Sequence, residues 1–256
     1  MKSGIFGALG LIIFLLGGSC SHHDEPVPAI STRDTTRTHQ NSPPASVDTV
    51  QADTTKKGLR EITILPQETD STIASTAEPH YAYLDNSKHL QGLLLVFLGG
   101  TNSSPKQYQM FPKAAAALGY HVVNISYPNT VSGSSCGESD LSCFAAYHEE
   151  FIFGLPTAHD GEVNTANAIQ NRLVRLLQYL HRQNPDDGWN QFFSDNTPVY
   201  SKLVVAGHSQ GGGHAAYIGH KFNVNRVLMF SSPYDYNEKV NQSATWCTES
   251  GATPAA

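Results

Sequence analysis

The stretch GHSQG, Gly207 to Gly211, places one hydroxyl between two glycines. It follows the apolar run LVVA (Leu203–Ala206) and leads into the small residues Gly212, Gly213, Ala215 and Ala216. This is G-x-S-x-G between an expected strand and an expected helix, the context in which a chain turns sharply and carries a serine at the tip of the turn. A Cβ at Gly207 or Gly211 would strike neighbouring backbone at such a bend. The chemistry implied is nucleophilic attack by Ser209, with the start of the following helix favouring developing negative charge. A neutral serine also needs an imidazole base and a carboxylate to orient it.

The elements that would hold this corner are legible as short apolar runs. LLLVFLGG (93–100), HVVNISYP (121–128), KLVVAG (202–207) and RVLMFSSP (226–233) read as buried parallel strands. REITILP (60–66) reads as a first strand, and one or two strands are expected before Leu93. PKAAAALG (112–119) has Pro112 suited to a first helical turn and Gly119 suited to the position after a helix end. From Asn164 onward, Ile169, Leu173, Leu176, Leu177 and Leu180 recur on one helical face, with Asn164 or Thr165 as cap and Pro185 as stop. Strands alternating with helices imply βαβ units. Trp189, Phe192 and Phe193 are expected to pack under the strand that follows them.

These motifs resemble the α/β-hydrolase superfamily from about Tyr81 onward. Within it, GHSQGGGHAA followed by VLMFSSP looks like bacterial secreted lipase- or cutinase-like serine hydrolases. The resemblance implies a three-layer α/β sandwich on a mostly parallel sheet, and acyl transfer by a Ser–acid–His triad in that chain order. Carried onto this chain, Ser209 is the nucleophile and the backbone N–H of Gln210 is one oxyanion donor. The second donor falls in the loop FLGGTNSSP, at Gly100 or Thr101; the His of the family's usual His-Gly pair is missing there. Asp235 is the candidate acid, one strand earlier than in most members. His208 is expected to support the elbow. Only His214 and His220 follow Ser209, and both read as helix-packing or surface residues, so the triad histidine is expected beyond residue 256. Such a core usually has about eight strands. The count here, the absent histidine and the unpaired Cys247 together lead to the expectation of a C-terminally truncated domain lacking its last strands.

Residues 1–19 read as a signal peptide: one early lysine, an apolar stretch from Ile5 to Leu16, then small residues. The small residues before Cys20 resemble the lipobox of bacterial lipoproteins, which implies a lipid on Cys20. Residues 20–58 are rich in Ser, Thr, Pro and Asp and read as a tether to a domain spanning 59–256. Export to the bacterial envelope, as an outer-membrane lipoprotein or a secreted protein, permits disulfides. Cys136 and Cys143 are then spaced to close a small ring, the alternative being two thiols.

The formal net charge of −6, with no long basic run, argues against a nucleic-acid partner. No phosphate loop, dinucleotide fingerprint or metal-ligand spacing is found, and no cofactor is expected. The expected activity is hydrolysis of a small-molecule or lipid carboxylic ester. A peptidase on the same elbow, or a non-catalytic surface-anchored binding protein, are the alternatives. The segment 133–154 is expected to shape the acyl pocket or to act as a lid.

Overall fold

The computed structural model describes residues 57–74, 78–136, 140–156 and 163–254, all inside one compact unit, Val50–Ala256. The signal segment, Cys20 and most of the tether lie outside the described residues. A six-stranded sheet is built from β1 (Leu59–Ile64), β2 (His80–Asp85), β3 (Leu94–Leu98), β4 (His121–Ile125), β5 (Leu203–His208) and β6 (Arg226–Phe230), in the order β1-β2-β4-β3-β5-β6. β1 and β2 pair antiparallel, as do β2 and β4. All pairings from β4 through β3 and β5 to β6 are parallel.

Alternation along the strands sorts the core into two faces. Val96 and Leu98 of β3, with Val205 of β5, join Phe144, Phe151, Leu173, Leu177 and Ile218 on one side. Leu95 and Phe97 join Val204, Ala206, Ala115 and Ala116 on the other. The first side is covered by α2 (Cys143–Phe153), α3 (Ile169–Gln183) and α4 (Gln210–Lys221), and the second by α1 (Met110–Ala117). This is a three-layer, α/β-hydrolase-like arrangement on a mostly parallel sheet.

The helix signals translate with small shifts. In α3, Ile169, Leu173, Leu176, Leu177 and Leu180 are all buried. Asn164 caps a short 3-10 turn, Thr165–Asn167, and α3 itself begins at Ile169. Gly119 follows α1 at φ +91, where a Cβ would lie 2.2 Å from the His89 carbonyl oxygen. Trp189 and Phe192 are buried, while Phe193 is half-buried.

One segment gains an element, and one expectation of burial is corrected. The second half of the segment 133–154 is α2, packed on α3 and α4, and Cys136 is disulfide-bonded to Cys143 at its start, as the spacing suggested. The helical period was present in Phe144, Tyr147, His148 and Phe151, behind a Gly/Ser-rich first half. β6 pairs as expected on its β5 side, yet Met229 and Phe230 are 47% and 40% exposed. Among the described residues no strand lies beyond it, so one flank stays open.

Candidate active site

Ser209 stands between β5 and α4 at φ 51, ψ −120, a backbone conformation that non-glycine residues rarely adopt. Sterics hold it there. A Cβ on Gly207 would lie 2.2 Å from the Gly211 carbonyl oxygen, and one on Gly211 would lie 2.2 Å from that of Leu98. The bend is tied from both sides: Ser209 N–H donates to the Phe230 carbonyl at 2.9 Å, and Gly213 N–H donates to the Ser209 carbonyl at 3.1 Å. Ser209 is exposed, neither buried nor in mid-helix. No hydrogen bond to its side chain occurs among the described residues.

The loop after β3 lies directly against the serine. A Cβ on Gly100 would sit 3.3 Å from Ser209 Cβ and 3.2 Å from His208 Nδ1. Gly100 N–H, one of the two amides left open as second oxyanion donor, is directed at the Tyr108 hydroxyl at 3.4 Å. That hydroxyl is 3.0 Å from His208 Nδ1, so His208 supports the elbow through Tyr108. Thr101 N–H has no acceptor among the described residues. Gln210 N–H, at the first position of α4, has none within the helix.

Behind the serine runs a buried hydrogen-bond chain that the sequence did not foretell. Thr101 Oγ1 donates to Gln210 Oε1 at 2.9 Å. Gln210 Nε2 is 3.4 Å from His214 Nε2, His214 Nδ1 is 2.8 Å from His148 Nδ1, and His148 Nε2 is 2.7 Å from Asp235 Oδ2. Trp246 Nε1–H donates to the same carboxylate oxygen at 2.9 Å. One tautomer set satisfies every link. The Gln210 amide donates to His214 Nε2; His214 Nδ1–H donates to His148 Nδ1; His148 Nε2–H donates to Asp235. His214 is fully buried, and burial, then the neighbouring His148, push its pKa well below the ordinary histidine value. Burial, with the Asp235 charge nearby, raises the Tyr147 phenol.

A cavity of about 120 Å³ opens at the corner, with Ser209, Gln210, Thr101, His148, Ser232 and Asp235 in its wall. The structure thus gathers Ser209, Gln210, Thr101 and Asp235 around one space, with Gly100 packed behind Ser209. His214 packs inside, as expected, and His220 is half-buried on the same helix. His148, in the cavity wall and bonded to Asp235, is the residue of this site that sequence reasoning missed. Its only signal was its place in the apolar period of α2. Cys247 is a free, exposed thiol raised to about 11 by burial of its sulfur and then by Asp235. Among the described residues no group of three or more His, Cys, Asp or Glu side chains is arranged to hold a metal, and no helix is long and apolar enough to cross a membrane.

No protein-family model matches the chain, and no curated protein matches it either. Similar solved structures include esterase B from Lactobacillus rhamnosis, bound to a tributyrin phosphonate inhibitor, at 10% identity and TM-score 0.34, covering 64% of this chain and 41% of that one. Another is Thermogutta terrifontis esterase 2 phosphorylated by paraoxon, at 12% identity and TM-score 0.33, covering 61% of this chain and 46% of that one. Esterase Est22 follows at 14% identity and TM-score 0.30, covering 63% and 38%. The chain spans less than half the length of these neighbours, and at such identities the likeness assigns no activity.

Proposed function

We propose that this chain belongs to an exported serine hydrolase that cleaves carboxylic esters by acyl transfer through Ser209. The observation that supports it most is the exposed, sterically enforced corner at Ser209 with the unpaired amides of Gln210 and Thr101 beside it. In the proposed cycle Ser209 Oγ attacks the ester carbonyl carbon and its proton passes to a histidine base. The carbonyl oxygen becomes an oxyanion facing Gln210 N–H and Thr101 N–H; one such donor is typically worth about 10²–10³ in turnover. Collapse breaks the carbon–oxygen bond to the alcohol, which leaves with the proton from the base. Water then attacks the acyl-enzyme by the same route and frees the acid.

Asp235 is the carboxylate of this reading. Its Oδ2 receives His148 and Trp246, while no hydrogen bond falls on Oδ1 among the described residues. Oδ1 is left to orient the base, which this reading places outside the described residues. His148 and His214 hold Asp235 and Gln210 in place, since each of their ring nitrogens already has a partner. The N-terminal segment, lipidated at Cys20, completes the proposal as signal and envelope anchor.

The test is labelling of the whole protein with a fluorophosphonate probe, located by mass spectrometry, alongside ester and amide substrates. An adduct on Ser209, lost in Ser209→Ala, is expected, with turnover of esters ahead of amides. His148→Asn should slow labelling without abolishing it. Labelling that survives Ser209→Ala would overturn the reading.

A further inference from the structure

We infer that the cavity beside Ser209 receives a short acyl group bearing a hydroxyl, and disfavours straight alkyl chains; this inference rests on the acyl-transfer reading above. The first ground is the lining. Away from the reacting corner the wall is Ser132, Gly133 and Ser134 from the loop before α2, Tyr147 from α2, and Ser232 and Tyr234 after β6. No aliphatic side chain longer than glycine contributes. Small-molecule pockets are ordinarily lined by hydrophobic and aromatic groups around a few polar ones, and run to about 300–1,000 Å³. At about 120 Å³ this one admits several waters, and so a short acyl group.

The second ground is that two hydroxyls in this wall have unused capacity. Ser232 Oγ is buried with no hydrogen-bond partner among the described residues. It is wedged against the start of α4, where a Cβ on Gly212 would lie 2.9 Å from it and one on Gly213 would lie 3.6 Å away. Ser132 Oγ accepts from Ser134 N–H at 3.2 Å and lies 3.1 Å from Ser134 Oγ; that pair consumes one hydroxyl proton and leaves the other without an acceptor among the described residues. An alkyl chain in this space would offer neither hydroxyl a hydrogen-bond partner. A hydroxyl on the acyl chain accepts from one and donates to the other. Sites built to bond a substrate hydroxyl discriminate against the analogue that lacks it far more strongly than apolar sites discriminate by size.

The comparison that isolates this is between two esters of equal shape, 4-nitrophenyl 3-hydroxybutyrate and 4-nitrophenyl 3-methylbutyrate, with the octanoate as a length control. The hydroxy ester should have the higher kcat/KM by about tenfold or more, as one or two neutral hydrogen bonds imply, and the octanoate should be the poorest. Ser232→Ala should shrink the hydroxy/methyl ratio to about threefold or less. Ser132→Ala, in a surface loop, should shrink it as well and covers the case in which Ser232→Ala does not fold. Protection of Ser209 from fluorophosphonate by 3-hydroxybutanamide against 3-methylbutanamide reads the same preference without turnover. A ratio of one or below, or a ratio unmoved in both variants, overturns the inference while Ser209 labelling leaves the hydrolase reading standing. If Ser209 does not label, both fall together.

Discussion

Acid should weaken this fold through two buried imidazoles, His80 and His214, before its carboxylates protonate. Both rings are inaccessible to solvent. Burial, then the Arg172 cation, lowers His80 to about 3, and its Nδ1 accepts from Ser126 N–H at 3.0 Å. His214 lies in a nest formed by Tyr127, Tyr147 and Phe151, hydrogen-bonded to His148, which in turn faces Asp235. In the unfolded chain each histidine titrates near 6.5. Below that pH the unfolded chain binds protons that the folded chain refuses. Their contribution is therefore intact above about pH 7 and is lost as pH falls through 6.5. The slope is about 1.4 kcal/mol per pH unit for each such group, so between about pH 7.5 and pH 5 each costs about 2 kcal/mol, and the pair about 4. That is a large share of the roughly 5–15 kcal/mol that stabilises an ordinary domain. Asp70 and Glu149, whose pKa values are lowered in the fold, give up their stabilisation only below the ordinary carboxylate range, outside this window.

Urea unfolding of the whole protein at several pH values across that window measures the slope. His80→Asn offers an amide oxygen where Nδ1 accepts, and His214→Asn offers an amide N–H where Nδ1 donates. Each variant should remove a substantial share of the pH-dependent loss, whatever constant cost it adds; part of the remainder belongs to His121, which burial also holds below the ordinary histidine value. A double variant whose stability falls with acid as steeply as the wild type would refute the assignment.

Other outcomes follow from contacts at single positions. Gly211→Ala forces a methyl into the Leu98 and Gly99 carbonyls at 2.2 and 2.4 Å, so it should cost at least about 3 kcal/mol or prevent folding, as thermal melting would show; Gly213→Ala, whose nearest contact is a His148 side-chain atom at 3.2 Å, should be milder. Asp187→Ala strands the Arg60 guanidinium, paired at 2.5 Å with its side chain 8% exposed, and should cost about 3–5 kcal/mol in urea unfolding. Reducing Cys136–Cys143, seven positions apart, should lower stability by about 2–3 kcal/mol and shift the melting point accordingly.

The elbow was legible because its requirements are local and steric. Gly207 and Gly211 are dictated by backbone atoms within a few residues in the chain or in the adjacent strand. The face of α3 was legible because burial repeats with the helical period. What sequence could not show is long-range. His148 and Asp235 are 87 positions apart and meet only because α2 lies across α4, next to the turn after β6. Nor could sequence show that the Tyr108 hydroxyl faces Gly100 N–H, while Thr101 N–H has no acceptor among the described residues. The exposure of β6 depends on what stands beside it, which its own composition does not encode.

The bonding of the two histidines also decides which role they can play. For His148 to take the Ser209 proton, its Nδ1 would have to lose the His214 N–H, and His214 would have to rotate. Ring centroids of Tyr147, Phe151 and Tyr127 lie 5.4, 5.5 and 5.7 Å from that of His214, so rotation would disturb a packed aromatic nest and break the link to Gln210 as well. The same links tie Thr101 to Gln210 beside the serine, holding together the two residues proposed as oxyanion donors. A chain that fixes Thr101, Gln210 and the Asp235 carboxylate, while the Ser209 hydroxyl and Asp235 Oδ1 keep no partner among the described residues, is arranged as support. On this argument His214→Asn should reduce turnover through misplaced donors, lowering kcat more than it raises KM, with the nucleophile still reactive toward the probe.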